Sequence, residues 1–77
     1  MTQVRYFAAA EEAAGRATEA RSELTLGQLR AGLQHDHAPL AAILDRCAIL
    51  VNGARHDDDT RLDADAVVDI LPPFAGG

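Results

Sequence analysis

Two consecutive prolines, Pro72 and Pro73, follow the alternating segment Val67 to Leu71, and they limit where a sheet can run in this chain. Each proline fixes φ and lacks a backbone N–H, so strand pairing is expected to stop at Leu71. Beyond them stand only Phe74, Ala75, Gly76 and Gly77. Glycine lacks a Cβ and reaches backbone conformations closed to other residues, so this ending can pass through a channel that rejects side chains. Fully extended, Phe74 to Gly77 reaches at most about 13–14 Å. The expected division is therefore a folded domain over 1–73 and a flexible tail over 74–77.

The rest of the punctuation defines the elements. Gln3 to Ala8 alternates and is rich in strand formers, with Val4 and Tyr6 on one face and Arg5 and Phe7 on the other. Ala9 to Ala14 reads as a short helix stopped by Gly15. Arg16 to Leu24 alternates weakly, as a polar edge strand does. Thr25 and Gln28 have capping-box spacing, and Leu26, Leu29 and Leu33 then place an apolar stripe on a helix. Gly27 and Gly32 weaken that helix by about 1 kcal/mol each relative to alanine.

His35-Asp36-His37 and Pro39 are expected to break the helix, and Leu40, Ile43 and Leu44 give one or two further turns to Asp45. Ala48 to Val51 is an apolar strand, Asn52-Gly53 a two-residue type I′ hairpin turn, and Ala54 to His56 a short return strand. A mixed sheet with helices packed on one face, an α+β domain, follows from this order. The expected core is Val4, Tyr6, Leu24, Leu26, Leu29, Leu33, Leu40, Ile43, Leu44, Ile49, Val51, Leu62, Val68 and Ile70.

Composition excludes several roles. The net charge of −5 disfavours nucleic acid, and no apolar run approaches a membrane span, so a cytoplasmic protein is expected. There is no lysine, so self-attached lysine-linked chains are impossible. Cys47, the single cysteine, sits beside an apolar strand and reads as structural. His35, His37 and His56 are better explained by a polar helix end and loop than by a metal, and Asp57-Asp58-Asp59 lacks the glycine and distal glutamate of a calcium loop. No glycine-rich nucleotide loop is present, so no cofactor is expected on this chain.

The ending Leu71-Pro72-Pro73-Phe74-Ala75-Gly76-Gly77, the Val51-Asn52-Gly53 turn and the opening Val4-Arg5-Tyr6-Phe7-Ala8 resemble the small, sulfur-carrying subunit of molybdopterin synthase. That resemblance covers essentially the whole chain, and it implies a ubiquitin-like β-grasp fold with the first and last strands parallel neighbours in the centre of the sheet. It also implies that an E1-like adenylyltransferase uses ATP to adenylate Gly77, and that a sulfur donor displaces AMP to leave a thiocarboxylate. The large subunit, in a heterotetramer, would supply the catalytic groups that move this sulfur to cyclic pyranopterin monophosphate. This chain would be a non-catalytic donor, with Gly76 and Ala75 permitting passage and Phe7, Leu71, Pro72, Pro73 and Phe74 meeting the partner. Carriers of the thiamine thiazole and cysteine pathways share the di-glycine, and a ubiquitin-like modifier is the alternative from another class.

Overall fold

The computed structural model describes residues 1–73, in the order β1 (Thr2–Tyr6), α1 (Ala9–Ala14), β2 (Thr18–Arg21), α2 (Leu26–Asp36), α3 (Ala38–Leu44), β3 (Ala48–Val51), β4 (Ala54–Arg55) and β5 (Val67–Leu71). The strands form one mixed sheet in the order β2-β1-β5-β3-β4. β1 and β5 run parallel, in the register Val4 to Val68 and Tyr6 to Ile70, while β2, β3 and β4 are antiparallel to their neighbours. The expected α+β arrangement, with parallel first and last strands inside the sheet, is the one observed.

Alternation decides which face is covered. Val4, Tyr6, Ile49, Val51, Val68 and Ile70 are buried on one face, where they form a single core with Leu26, Leu29 and Leu33 of α2 and Leu40 and Leu44 of α3. A side chain of that size contributes about 1.5–3 kcal/mol on burial, so these residues set the stability of a domain this small.

Two positive-φ residues, Asn52 at 51° and Gly53 at 85°, make the expected hairpin turn. Asn52 does a second job that its turn propensity does not signal. Its backbone N–H donates to Val67 O at 2.8 Å and its Oδ1 accepts from Val67 N at 2.9 Å, which fixes the start of β5.

Several expectations need correction. Leu24 is 58% exposed rather than core, because β2 ends at Arg21 and its alternation does not reach Leu24. Ile43 is only partly buried. Ala10, Ala14, Ala66 and Thr2 complete the interior, being small enough to let α1 and the last turn approach the sheet. β1 ends at Tyr6, not Ala8, and β4 at Arg55, not His56. Pro39 lies inside the first turn of α3, where a missing N–H leaves no bond unmade. Thr25 Oγ1 accepts from Gln28 N at 3.2 Å, but the Gln28 side chain returns to Leu24 N rather than to Thr25. Gly32 lies against the Arg21 guanidinium and the Glu23 carboxylate, so packing accounts for a glycine that propensity alone disfavours.

Candidate functional site

The face of the sheet away from the helices is uncovered, and the strand registers order its side chains in rows. Phe7 N donates to Ile70 O at 3.2 Å, continuing the β1 to β5 pairing, and Ala48 pairs with Leu71. Phe7, Leu71 and Ala48 therefore form an apolar row, and Leu71 leads directly into Pro72 and Pro73. The adjoining row is polar in its middle: Thr18, Arg5, Asp69, Leu50 and Arg55 lie side by side across five strands.

Arg5 and Asp69 form a two-pronged pair at 2.6 and 2.8 Å. The same guanidinium lies 5.7 Å from the Phe7 ring centroid, close enough for a cation–π contact. The Asp69 hydrogen bond, with its charge, raises the Arg5 pKa above its ordinary value, so the guanidinium stays charged. Phe7, 38% exposed, is thus flanked by Arg5 rather than capped by a loop. Phe7, Leu71, Pro72 and Pro73 stand together at one end of the uncovered face. Phe74, Ala75, Gly76 and Gly77 lie outside the described residues.

Sequence reading missed Ala48, Leu50 and Arg55 on this face. The signal was present: Ala48 and Leu50 alternate with buried Ile49 and Val51, and a two-residue turn places Arg55 opposite Leu50.

On the covered side, a polar cluster fastens the β2 edge to the helices. Glu19 Oε1 accepts from the Tyr6 hydroxyl at 2.6 Å and lies 2.8 Å from His37 Nε2, while Glu19 Oε2 accepts from Arg21 at 3.0 Å. Arg21 also pairs with Glu23 and with Asp36 at 2.8 Å. Burial pushes the Glu19 carboxyl up, but the bonds from Tyr6, His37 and Arg21 together hold it below the usual carboxylate range. Burial first, and then the bond to Glu19, raises the Tyr6 hydroxyl well above its ordinary value. His37 is the hinge between α2 and α3, so the expected polar helix end is here a fitted contact.

Cys47 is half-buried and its Sγ donates to Ile43 O at 3.3 Å; burial raises its thiol, which disfavours the thiolate. The acidic stretch is more than solvated charge, since Asp58 O accepts from Gly27 N at 2.9 Å and the Asp58 carboxylate meets Arg30 at 3.4 Å. Among the described residues, no group of three His, Cys, Asp or Glu side chains could hold a metal ion. No helix among them is long and apolar enough to cross a membrane.

A mixed sheet with its first and last strands parallel, helices on one face and a proline-terminated last strand defines a ubiquitin-like β-grasp domain. The ThiS family model matches residues 4–77, and the chain belongs to that family of ubiquitin-like sulfur carriers. Among solved structures, it is similar to the complex of subunits 1 and 2 of molybdopterin-converting factor from Helicobacter pylori 26695, with 30% identity over 99% of this chain and 97% of that one and a TM-score of 0.76. A putative molybdopterin converting factor subunit 1 from Pyrococcus furiosus matches with 24% identity over 95% and 97% of the two chains, at a TM-score of 0.81. Small archaeal modifier protein 1 from Methanosarcina acetivorans matches with 23% identity over 99% and 95%, at a TM-score of 0.86. A search of curated protein sequences finds no match.

Proposed function

We propose that this chain is the sulfur-donor subunit of a molybdopterin synthase, carrying sulfur as a thiocarboxylate on Gly77. The observation that carries the reading is the apolar row of Phe7, Leu71 and Ala48, which opens onto solvent and runs straight into Pro72 and Pro73. A partner seated there receives the tail at a fixed origin. The Helicobacter pylori protein, 30% identical over nearly the full chain, forms a complex with subunit 2 of the same factor, which supports a large subunit as that partner.

The chemistry follows from the carboxyl. At neutral pH it is ionised and a poor acyl donor. An E1-like enzyme transfers AMP from ATP to it with release of pyrophosphate, and a sulfur nucleophile then attacks the acyl carbon and expels AMP. The thiocarboxylate sulfur so formed bonds to cyclic pyranopterin monophosphate on the large subunit, and water then cleaves the acyl–sulfur bond, leaving the sulfur on the pterin and regenerating the carboxylate for another cycle. This chain supplies the acyl group and the docking face; the acid, base and phosphate-binding groups belong to its partners.

The test is reconstitution. The thiocarboxylate form, incubated with the cognate large subunit and cyclic pyranopterin monophosphate, should yield the dithiolene of molybdopterin, and removal of Gly77 should abolish the product without changing the thermal melt. Formation of thiazole or cysteine with the corresponding synthases, and none of molybdopterin, would assign the carrier to another pathway. A branched Gly-Gly on lysines of other proteins would mark it as a modifier.

A further inference from the structure

We propose that Arg46 and Arg55 form a basic frame around the tail root that pairs with carboxylates on the protein seated on the open face. This rests on the reading of that face as the large-subunit contact, and it adds which chemistry that partner must carry.

The seven positive side chains are all arginines. Four are committed within the fold: Arg5 to Asp69, Arg16 to Glu19, Arg21 to Glu19, Glu23 and Asp36, and Arg30 to Asp58. Among the described residues, the other three, Arg46, Arg55 and Arg61, make no ion pair and no side-chain hydrogen bond, and of these Arg46 and Arg55 stand beside the tail root. Arg46 and Arg55 share one shallow cleft of about 440 Å³ with Leu71, Pro72, Pro73 and Asp45, and Arg46 also lines a second cleft, of about 180 Å³, with Ile43 and the same two prolines. Arg46 thus borders both hollows beside the tail root. Arg55 reaches it from the far edge of the sheet, two strands from β5.

Covering the apolar row removes water from this rim. A guanidinium desolvated without a partner is strongly unfavourable, whereas a carboxylate held by its planar fork restores the lost hydrogen bonds with good geometry. Asp45 is the one acidic side chain among the described residues that line the cleft, and it forms no ion pair with either guanidinium, so both remain available to carboxylates of a partner. Elsewhere the net charge of −5 repels an acidic partner at long range, so the two arginines select which end of the sheet such a partner approaches.

The experiment measures the Kd of the full chain for the cognate large subunit, by titration calorimetry at two salt concentrations, for wild type, Arg46→Glu, Arg55→Glu, Arg61→Glu and Leu71→Asp. The proposal predicts that the first two charge reversals each weaken binding about tenfold or more and flatten its salt dependence, while Arg61→Glu leaves Kd unchanged. Arg55 and Arg61 are exposed and Arg46 makes no ion pair, so thermal melts should stay close to wild type. Loss of binding in Leu71→Asp with wild-type Kd in both Arg→Glu variants overturns the basic frame and leaves the docking reading intact. Wild-type affinity in Leu71→Asp, or no binding by wild type, overturns the docking reading and this proposal with it. Unchanged Kd with slower adenylation by the activating enzyme would assign the pair to an anion instead, and also overturns it.

Discussion

Replacing Tyr6 by Phe removes one oxygen from the covered side and nothing from the docking face, which makes it a clean probe of what holds β2 in place. The hydroxyl donates to Glu19 Oε1 at 2.6 Å, and Tyr6 is only 2% exposed. A hydrogen bond to a charged group contributes about 1.5–3 kcal/mol. Glu19 keeps its contacts with His37 at 2.8 Å and Arg21 at 3.0 Å, so the acceptor is not orphaned and the lower end, about 1.5 kcal/mol, applies. For a domain of this size each kcal/mol moves Tm by about 4–8 °C, giving a fall of about 6–12 °C at pH 7 by far-UV circular dichroism. The variant should also respond differently to alkali. Tyr6 has a folded-state pKa raised above its unfolded value of about 10, so the stability it gives is complete below that pH and is lost as pH rises beyond it. Wild type should therefore weaken above pH ~10 and Tyr6→Phe should not share that loss. A Tm within about 2 °C of wild type would show that the cluster does not hold the edge strand.

Three other perturbations check separate parts of the account. Ala8 sits at φ 51° and ψ −124°, a conformation L-residues rarely adopt, so Ala8→Gly should stabilise the fold by about 1 kcal/mol in urea titration; destabilisation would refute strain at the β1 to α1 junction. Leu40 is fully buried, and Leu40→Ala should cost about 2–5 kcal/mol, which in a domain this small leaves a large unfolded fraction detectable by near-UV circular dichroism. Glu19 and Glu23 both have folded-state pKa values held below their unfolded ones, so their stabilisation is present above the ordinary carboxylate range and is lost as pH falls through the lower folded values. Acid titration of Glu19→Gln should accordingly show a shallower loss of stability than wild type below pH ~4.5, and identical slopes would refute that role.

The strands and helices were legible because their punctuation is local. Asn52-Gly53 fixes one hairpin, Thr25 starts α2, and the prolines after Leu71 end β5; each acts through the backbone of its own neighbourhood. The facing of Phe7 beside Leu71 also came through, since period-two alternation plus one parallel pairing determines it. Leu24 was misplaced because alternation gives no sign of where an edge strand stops pairing. The Tyr6, Glu19, Arg21 and His37 cluster was invisible for a different reason: its members come from three elements, and only the packed sheet and helices bring them within hydrogen-bond reach. Nothing local in the sequence links Arg46 to Arg55; the fold sets them beside the same two prolines.

The most direct test of the central claim is the intact mass of this chain after incubation with its activating enzyme, ATP and a sulfur donor, followed by fragmentation to locate the change. The account predicts one oxygen replaced by sulfur, confined to the carboxyl of Gly77 and lost again when the large subunit and cyclic pyranopterin monophosphate are added. An unmodified carboxylate under conditions that load a known carrier, or sulfur found on Cys47 instead, would contradict it.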